Sequence, residues 1–460
     1  MISALQLILW VVFITMAVCS SFYKNHQNNQ ILGVTLSKEH AKTSEVREIV
    51  KGFSRACYIL LGFSIGLSFL LLVEAIHSYA EFYMLILVLG NLFANWFLIH
   101  QYEQKLLLTK KKNNWIYQSN HIVTVDLNVT KEKGKSSVSV LWSWGFFCLS
   151  FVPTIYLLLN TKAQGTYPIF LSLIGPLTQL TTIYLYHKMK YQHALVLSDD
   201  SETNKECAKA EERINTMAAT LSGLAMLVFW ILFSFSIIHT NNSTLSVLPA
   251  IILVGAMLFI GSWQQKKTRV IESKFLKEES LASDGVYEQE SIWKWGFYNN
   301  PNDPRIIVPK RVANMGFTIN IGRPLGKVIG LGIYAMILVI LFFVIFSGTK
   351  DYKITSSGSQ IMIDAAMYDM NIQKDQIVSI YVTDQIPSGT RTNGYGGAAK
   401  RFGNFSLNGF GKCKLYLYNS VHKYIVIEME ESNPSYVIVN DKSEDKTDDL
   451  YQILEKWFEE

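Results

Sequence analysis

Charge is scarce in this chain. Asp, Glu, Lys and Arg make up 17% of its 460 residues, against about 25% in an ordinary soluble protein. The deficit falls in long uncharged runs, which excludes a simple soluble globule. Cysteine is thin too, with Cys19, Cys57, Cys148, Cys207 and Cys413 alone. No two stand at metal-ligand spacing, and Cys413 is the single cysteine of the last 111 residues. Neither a structural zinc site nor an internal disulfide is therefore expected there. An H-E-x-x-H zinc motif, a G-x-x-x-x-G-K-[ST] phosphate loop, a paired-carboxylate signature and a nucleophile–base–orienter set are all missing. The expectation is a non-enzyme with no catalytic residue, no metal site and no cofactor.

What is present is hydrophobic length. Eight stretches are long and apolar enough to cross a bilayer: 2–21, 57–77, 83–100, 140–159, 168–187, 217–238, 244–263 and 326–347. Lys and Arg collect on the cytoplasmic side of membrane proteins, so their distribution sets an orientation. Twenty-nine fall in or at the edge of 22–56, 101–139, 188–216 and 264–325, while the outward segments of residues 1–349 hold one, Lys162. The alternation never breaks. It predicts a multi-pass cell-membrane protein with its N-terminus and C-terminal domain outside. The first span lacks a basic lead-in and a small-x-small cleavage site, and reads as an uncleaved helix. The formal net charge of +5 averages an excess of nine positive charges before Lys350 with 12 Lys/Arg against 16 Asp/Glu from there on. The basic excess belongs to membrane-flanking loops and their lipids, so nucleic acid is not an expected partner.

Polar groups inside the spans are few, and each is a candidate. Glu74 lies near the outer end of the second span, Asn91 and Asn95 share one face of the third, and Gln179 follows Pro176 in the fifth. Two readings stay open: a polar pathway or cavity between the third and fifth spans, or plain interhelical hydrogen bonding.

The inward loop 264–325 is the most distinctive stretch. It opens as a basic helix and continues through Trp293, Trp295, Tyr298, Asn300, Asp303, Arg305, Lys310 and Arg311. Pro301 and Pro304 impose extended or turn backbone. Aromatic rings at the headgroup level, with Lys310, Arg311 and Arg323 facing lipid phosphates, are one expectation for this loop. A folded loop without a ligand is the other. The pattern W-G-x-Y-x-N-P-x-D-P-R from Trp295, then V-P-K-R from Val308, then G-x-T-x-N to Asn320 resembles a module of bacterial multi-pass membrane proteins of unknown function. Gly33-Val34-Thr35-Leu36 is similar to the loop after the first span in that family. A P-x-x-I-P-x-H-F signature carried by many relatives does not occur here, so a role tied to it is not implied.

Residues 350–460 change character and are expected to form a separate domain after the 1–349 membrane region. Short β-favouring runs at 352–355, 361–365, 377–382, 401–406, 412–418, 423–428 and 435–439 alternate with turns. Cys413, Leu415 and Leu417 alternate with Lys412, Lys414, Tyr416 and Tyr418, which suits a half-buried strand, and 424–427 reads as a central one. A last helix is expected, with Thr447 as N-cap and Leu450, Ile453, Leu454, Trp457 and Phe458 as its apolar face. Strands closed by one helix, with Arg391-x-Asn393-Gly394, Gly403-x-Phe405, Gly409-x-Gly411-Lys412 and Tyr436-Val437-Ile438-x-Asn440, resemble bacterial PH-like domains. Arg391, Asn393, Lys400 and Arg401 are its candidate binding residues.

The sequence thus predicts an eight-helix membrane bundle plus a PH-like β-rich domain closed by one helix. The expected role is non-enzymatic presentation of that domain outside the cytoplasm to a protein or envelope ligand, in envelope sensing or protection. The alternative is a small-solute carrier or export-related channel using polar residues of spans 2, 3 and 5.

Overall fold

The computed structural model describes residues 2–27, 29–73, 76, 79–117, 136–160, 167–190, 201–239, 245, 247–275, 290, 292–294, 296–312, 316–349, 351–365, 368–397, 399–430 and 434–459. Among the described residues each expected span is mainly helical. In chain order the main helices are α1 (Ile2–Ser21), a short α2 (Lys38–Ala41), α3 (Ser44–Ser68), α4 (Ala80–Lys112), α5 (Leu141–Leu149) and α6 (Phe151–Asn160). They continue with α7 (Tyr167–Lys190), α8 (Ser201–His239), α9 (Leu248–Phe275) and α10 (Pro324–Thr349). Among the described residues seven spans are long and apolar enough to cross a membrane, α5 and α6 together counting as one. α7, the expected fifth span, is not among those seven.

Hydropathy set the apolar middles of these helices but not their ends. α3 starts 13 residues before the expected 57, and α8 starts 16 before the expected 217, because both run on into charged but helix-favouring sequence. The fourth span is broken at Ser150, between α5 and α6 and just before Pro153.

The helices pack in two groups. α1, α3 and α4 contact one another, and α5 to α9 form the second set around α8, with α1 touching α9 across the join. In the second group Trp230 fits against Gly175, where an added Cβ would stand 2.1 Å from its indole nitrogen. α10 stands apart. Its contacts are with α4 and with the segment just before it, and its Leu331, Tyr334 and Phe342 are exposed, as suits a lipid-facing helix.

The C-terminal part is β-rich. β7 (Lys353–Ser357), β8 (Gln360–Asp364) and β9 (Met370–Gln373) form an antiparallel meander. A second sheet has the order β10-β14-β15-β13-β12-β11. Its strands are β10 (Ile377–Thr383), β11 (Gly389–Gly396), β12 (Lys400–Leu407), β13 (Gly411–Tyr418), β14 (Tyr424–Met429) and β15 (Tyr436–Val439). β13 and β15 are parallel, and every other pair is antiparallel.

Strands β10 and β11 are the two edges, yet they are consecutive in the chain. A flat sheet would set them about 24 Å apart, while the chain from Thr383 to Gly389 reaches about 20 Å. The sheet must therefore curl. Ile386 of that connection packs on the face carrying Leu415, Leu417, Val426 and Ile438. The opposite face, with Phe402, Tyr416, Ile425, Ile427, Val437 and Val439, meets β8 and the closing helix α11 (Glu444–Glu459).

All seven expected strands are present, and β9 and β11 are additional. The alternation along β13 holds, but the strand is not half-buried: Tyr416 is fully enclosed on the second face. β14 is central, as its uniform apolarity predicts. Two details of the helix differ. α11 begins at Glu444, with Ser443 Oγ accepting from Lys446 N at 3.3 Å, so Ser443 takes the cap. Thr447 is buried in the first turn, where its hydroxyl accepts from Asp441 N at 3.0 Å. Ile453 is exposed, while Leu450, Leu454, Trp457 and Phe458 pack inward.

Candidate functional site

The intramembrane polar residues separate into two hydrogen-bonded sets. Ser20 Oγ donates to Asn95 Oδ1 at 2.8 Å, and Asn95 Nδ2 to Asn91 Oδ1 at 2.9 Å. Asn91 Nδ2 donates to Ser64 Oγ at 2.5 Å. That chain joins α1, α4 and α3. Gln179 Nε2 instead donates to the Gly223 carbonyl of α8 at 3.0 Å, and Thr182 Oγ1 to the Gln179 carbonyl at 2.8 Å. Asn91 and Asn95 thus serve one helix group and Gln179 the other. Glu74 lies outside the described residues.

A polar cap covers one end of the α1–α3–α4 group. It is built from the chain after α1, the end of α4, and residues 290–323. Strands β1 (Gln30–Ile31) and β2 (Val34–Thr35) form a two-residue hairpin. Its central residues, Leu32 (φ 49°) and Gly33 (φ 79°), are both left-handed, the geometry of a type I′ turn. Gly33 is needed for a second reason, since a Cβ there would lie 2.8 Å from Arg311 Cζ.

Two buried ion pairs fasten the cap. Arg311 Nη1 is 2.6 Å from Glu103 Oε1, with 6% and 14% of the two side chains exposed. Lys110 Nζ is 3.0 Å from Glu290 Oε1, which also accepts from Thr35 N at 2.8 Å, while Thr35 Oγ1 is 3.2 Å from Oε2. Burial pushes the Glu290 carboxyl up, but the Lys110 charge and these hydrogen bonds outweigh it and hold the group below the usual carboxylate range. Tyr117 closes the other side. Its hydroxyl accepts from Ser37 N at 3.0 Å and lies 2.5 Å from His40 Nδ1, whose ring stacks on Trp115.

The aromatic and basic module folds around one side chain, Asn320, which is fully buried. Its Oδ1 accepts from Asn300 N at 3.1 Å and Gly322 N at 3.0 Å. Its Nδ2 donates to the carbonyls of Asn300 at 2.8 Å and of Asp303 and Arg305 at 3.2 Å. Asp303 is clamped by Arg305 through Nε at 2.9 Å and Nη2 at 2.7 Å, and accepts from Tyr298 Oη at 2.8 Å. Burial raises the Asp303 carboxyl, and the bonds from Arg305 and Tyr298 more than offset this, leaving it below its ordinary value. Trp293 packs edge-on against Tyr298. Two short hairpins complete the module: β3 (Trp293–Lys294) with β4 (Phe297–Tyr298), and β5 (Ile307–Pro309) with β6 (Phe317–Ile319).

These positions correct the expected headgroup contact at several residues. Trp293, Tyr298 and Asp303 are buried, and Arg323 reaches the Pro301 carbonyl at 3.4 Å; Arg311 pairs with Glu103 through Nη1 alone, and Lys310 remains exposed. Trp295 lies outside the described residues. Glu103, Glu290 and Asn320 carry this site with Lys110, and those three were not among the candidates. One signal was available for Glu103, an acid beside the basic run Lys105 and Lys110–Lys112; Glu290 lies in the acidic stretch 278–290 and carried no such signal.

In the C-terminal domain the four candidates also separate. Arg391 and Asn393 are exposed on the edge strand β11. Lys400 is buried and bound to Asp351 at 2.8 Å, and Lys442 reaches the same carboxylate at 2.8 Å. Lys400 is thus a structural cation, not part of an open binding surface. Burial raises Asp351, but the two lysines dominate and bring it down to about 2. Arg401, half-buried, lies opposite Gly396. The glycines of β11 permit close pairing, since a Cβ on Gly394 would come within 2.5 Å of the Phe402 carbonyl oxygen.

Comparison with protein families gives two matches. Residues 352–453 match the model of a bacterial PH domain. Residues 301–327, the later part of the aromatic and basic module, match a family of unknown function (DUF5808). No curated protein and no solved structure matches the chain. The chain is accordingly a multi-pass membrane protein bearing a bacterial PH-type domain.

Proposed function

We propose that this chain is a non-enzymatic membrane receptor or adaptor whose PH-type domain stands outside the cytoplasm and binds a protein or envelope ligand. The observation that carries the reading is the division of labour between the two parts. The polar groups of the membrane part that are described above are tied to one another. The PH-type domain presents Arg391 and Asn393 on the exposed edge strand β11. An edge strand with flanking polar side chains suits addition of an extended peptide or a polymer chain.

The orientation has support from the cap. Residues 22–43, 101–117 and 290–323, three segments that the charge pattern assigns to the same side, meet there through the Glu103–Arg311 and Glu290–Lys110 pairs. Helix α10 follows the third of them and leads to the PH-type domain on the opposite side. A reporter fused after Glu460 tests the placement, and activity of a cytoplasm-specific reporter there would overturn it. Full-length protein in detergent, screened against peptides and envelope polymers, tests the binding. The expected result is capture that an Arg391→Glu, Asn393→Ala variant loses. Equal capture by both would remove β11 as the surface. The carrier reading draws on Asn91, Asn95 and Gln179, which belong to two separate hydrogen-bonded sets.

A further inference from the structure

Arg311 carries more donors than its neighbours accept. Its side chain keeps 6% of its surface exposed, and Nη1 is taken by Glu103. The other edge, Nε–H beside Nη2–H, is buried and meets no acceptor among the described residues. Those two N–H groups are coplanar and parallel, the edge through which a guanidinium receives an oxyanion with two bonds. Arg305 shows the same edge filled. Its Nε and Nη2 lie 2.9 and 2.7 Å from the two oxygens of Asp303. Leaving two charged donors buried and unmet is costly, so such an edge calls for an acceptor from outside the chain.

The surroundings narrow the class of that acceptor. Gly33 lies flat against the guanidinium, and Trp293 is 6.0 Å from it on the cap side. Neither offers the donor edge an acceptor side chain. The guanidinium is held by Glu103, three residues past the apolar stretch 83–100 of α4, and follows the exposed Lys310 in the chain. That is the depth of lipid phosphates, and local charge beyond the neutralised Arg311–Glu103 pair is basic. We propose that the Nε/Nη2 edge of Arg311 binds a phosphate oxyanion, bidentate, at the membrane surface. The phosphate comes from a lipid headgroup or from solution, and the chemistry of capture is the same for both.

The test uses the full chain in a phosphate-free maltoside detergent, following the thermal midpoint by tryptophan fluorescence. Two probes are titrated separately at constant ionic strength: inorganic phosphate, and phosphatidylglycerol in mixed micelles. A rise with phosphate assigns the solution source, and a rise with the lipid alone assigns the headgroup. No rise with either overturns the proposal. Arg311→Lys keeps the charge and loses the fork, so the half-maximal probe concentration should increase about tenfold. An unchanged value would place binding elsewhere and overturn it equally. If that variant does not fold, Glu103→Gln decides. Removing the competing negative charge should lower the half-maximal concentration, and no change refutes the site.

Discussion

Replacing Asn320 should open the cap without disturbing the helices. Its side chain satisfies two backbone N–H groups, of Asn300 and Gly322, and three carbonyls, of Asn300, Asp303 and Arg305. Asn320→Ala strips all five at a fully buried position. An unmet buried group costs about 1–3 kcal/mol. Four of the five bonds are only partly buried, at Asn300, Arg305 and Gly322, and those groups recover some water, so a loss of about 3–5 kcal/mol is the working value. At roughly 1.4 kcal/mol per tenfold, that lowers local protection by about a hundred- to a thousandfold. Hydrogen exchange of peptides spanning 296–312 and 316–323 reads this directly, with α3 and α4 as internal references. Asn320→Asp adds a sharper contrast. It keeps both acceptors but turns an oxygen toward three carbonyl oxygens, so it should lose at least as much protection near neutral pH. Part of that loss should return when the carboxyl is protonated and again donates. Protection within tenfold of the parent in both variants would show that Asn320 is not the centre of the module.

Gly33→Ala should destabilise the cap by about 1–3 kcal/mol, from left-handed strain and the contact with Arg311, seen as faster exchange at 30–36. A double-mutant cycle of Lys110→Met and Glu290→Gln should show each single change costing about 3–5 kcal/mol and the pair less than their sum; additive losses would deny the pair. Because the Glu290 pKa is depressed on folding, its contribution is complete above the unfolded value near 4.3 and is lost as pH falls through the lower folded value. Exchange at Thr35 should therefore rise on acidification in the parent but not in Glu290→Gln. Asp351→Asn should cost less than about 1 kcal/mol, since its side chain is 44% exposed and the pairs are solvent-screened. Its stabilisation should fade between the unfolded pKa near 3.9 and the folded value of about 2, as followed by domain fluorescence across that range.

The legible parts of the fold were those set by local pattern. Uninterrupted apolar length marked the spans, and strict alternation placed β13. β11 was missed because Gly389-Thr390-Arg391-Thr392-Asn393-Gly394-Tyr395-Gly396 reads as turn sequence. Its glycines answer a close approach of β12 that exists only in the folded sheet. β9 was missed because it offers only Met370 and Ile372 to a core. In the site, chemistry suggested surface roles for Trp293 and Tyr298 because aromatic residues favour a headgroup layer. The acids that bury the basic groups, Glu103 and Glu290, come from positions 208 and 180 residues away. No local pattern encodes those pairings. Asn320 was visible as part of a motif, but its role as a hydrogen-bond centre depends on three turns folding onto it.

The cap also explains why two distant motifs belong together. Gly33-Val34-Thr35-Leu36 and the later Val308-Pro309-Lys310-Arg311 are separate in sequence, yet Arg311 lies on Gly33 and Thr35 binds Glu290. A buried ion pair gains little over apolar packing, but removing one partner leaves a stranded charge. Such pairs therefore penalise any register other than the paired one, and two of them fix the hairpin, the α4 end and the module as one body. α10 begins within that body: a Cβ on Gly326 would come within 2.0 Å of the Asn320 carbonyl oxygen. Beyond its first turns the described side chains of the same helix are mostly exposed, as at Leu331, Tyr334, Met336 and Phe342. Its start is thus held by the cap rather than by neighbouring helices along its length. A change in the cap would move the start of the one helix that joins the bundle to the PH-type domain, which makes the Asn320 and Arg311 variants the informative ones for coupling between the cap and that domain.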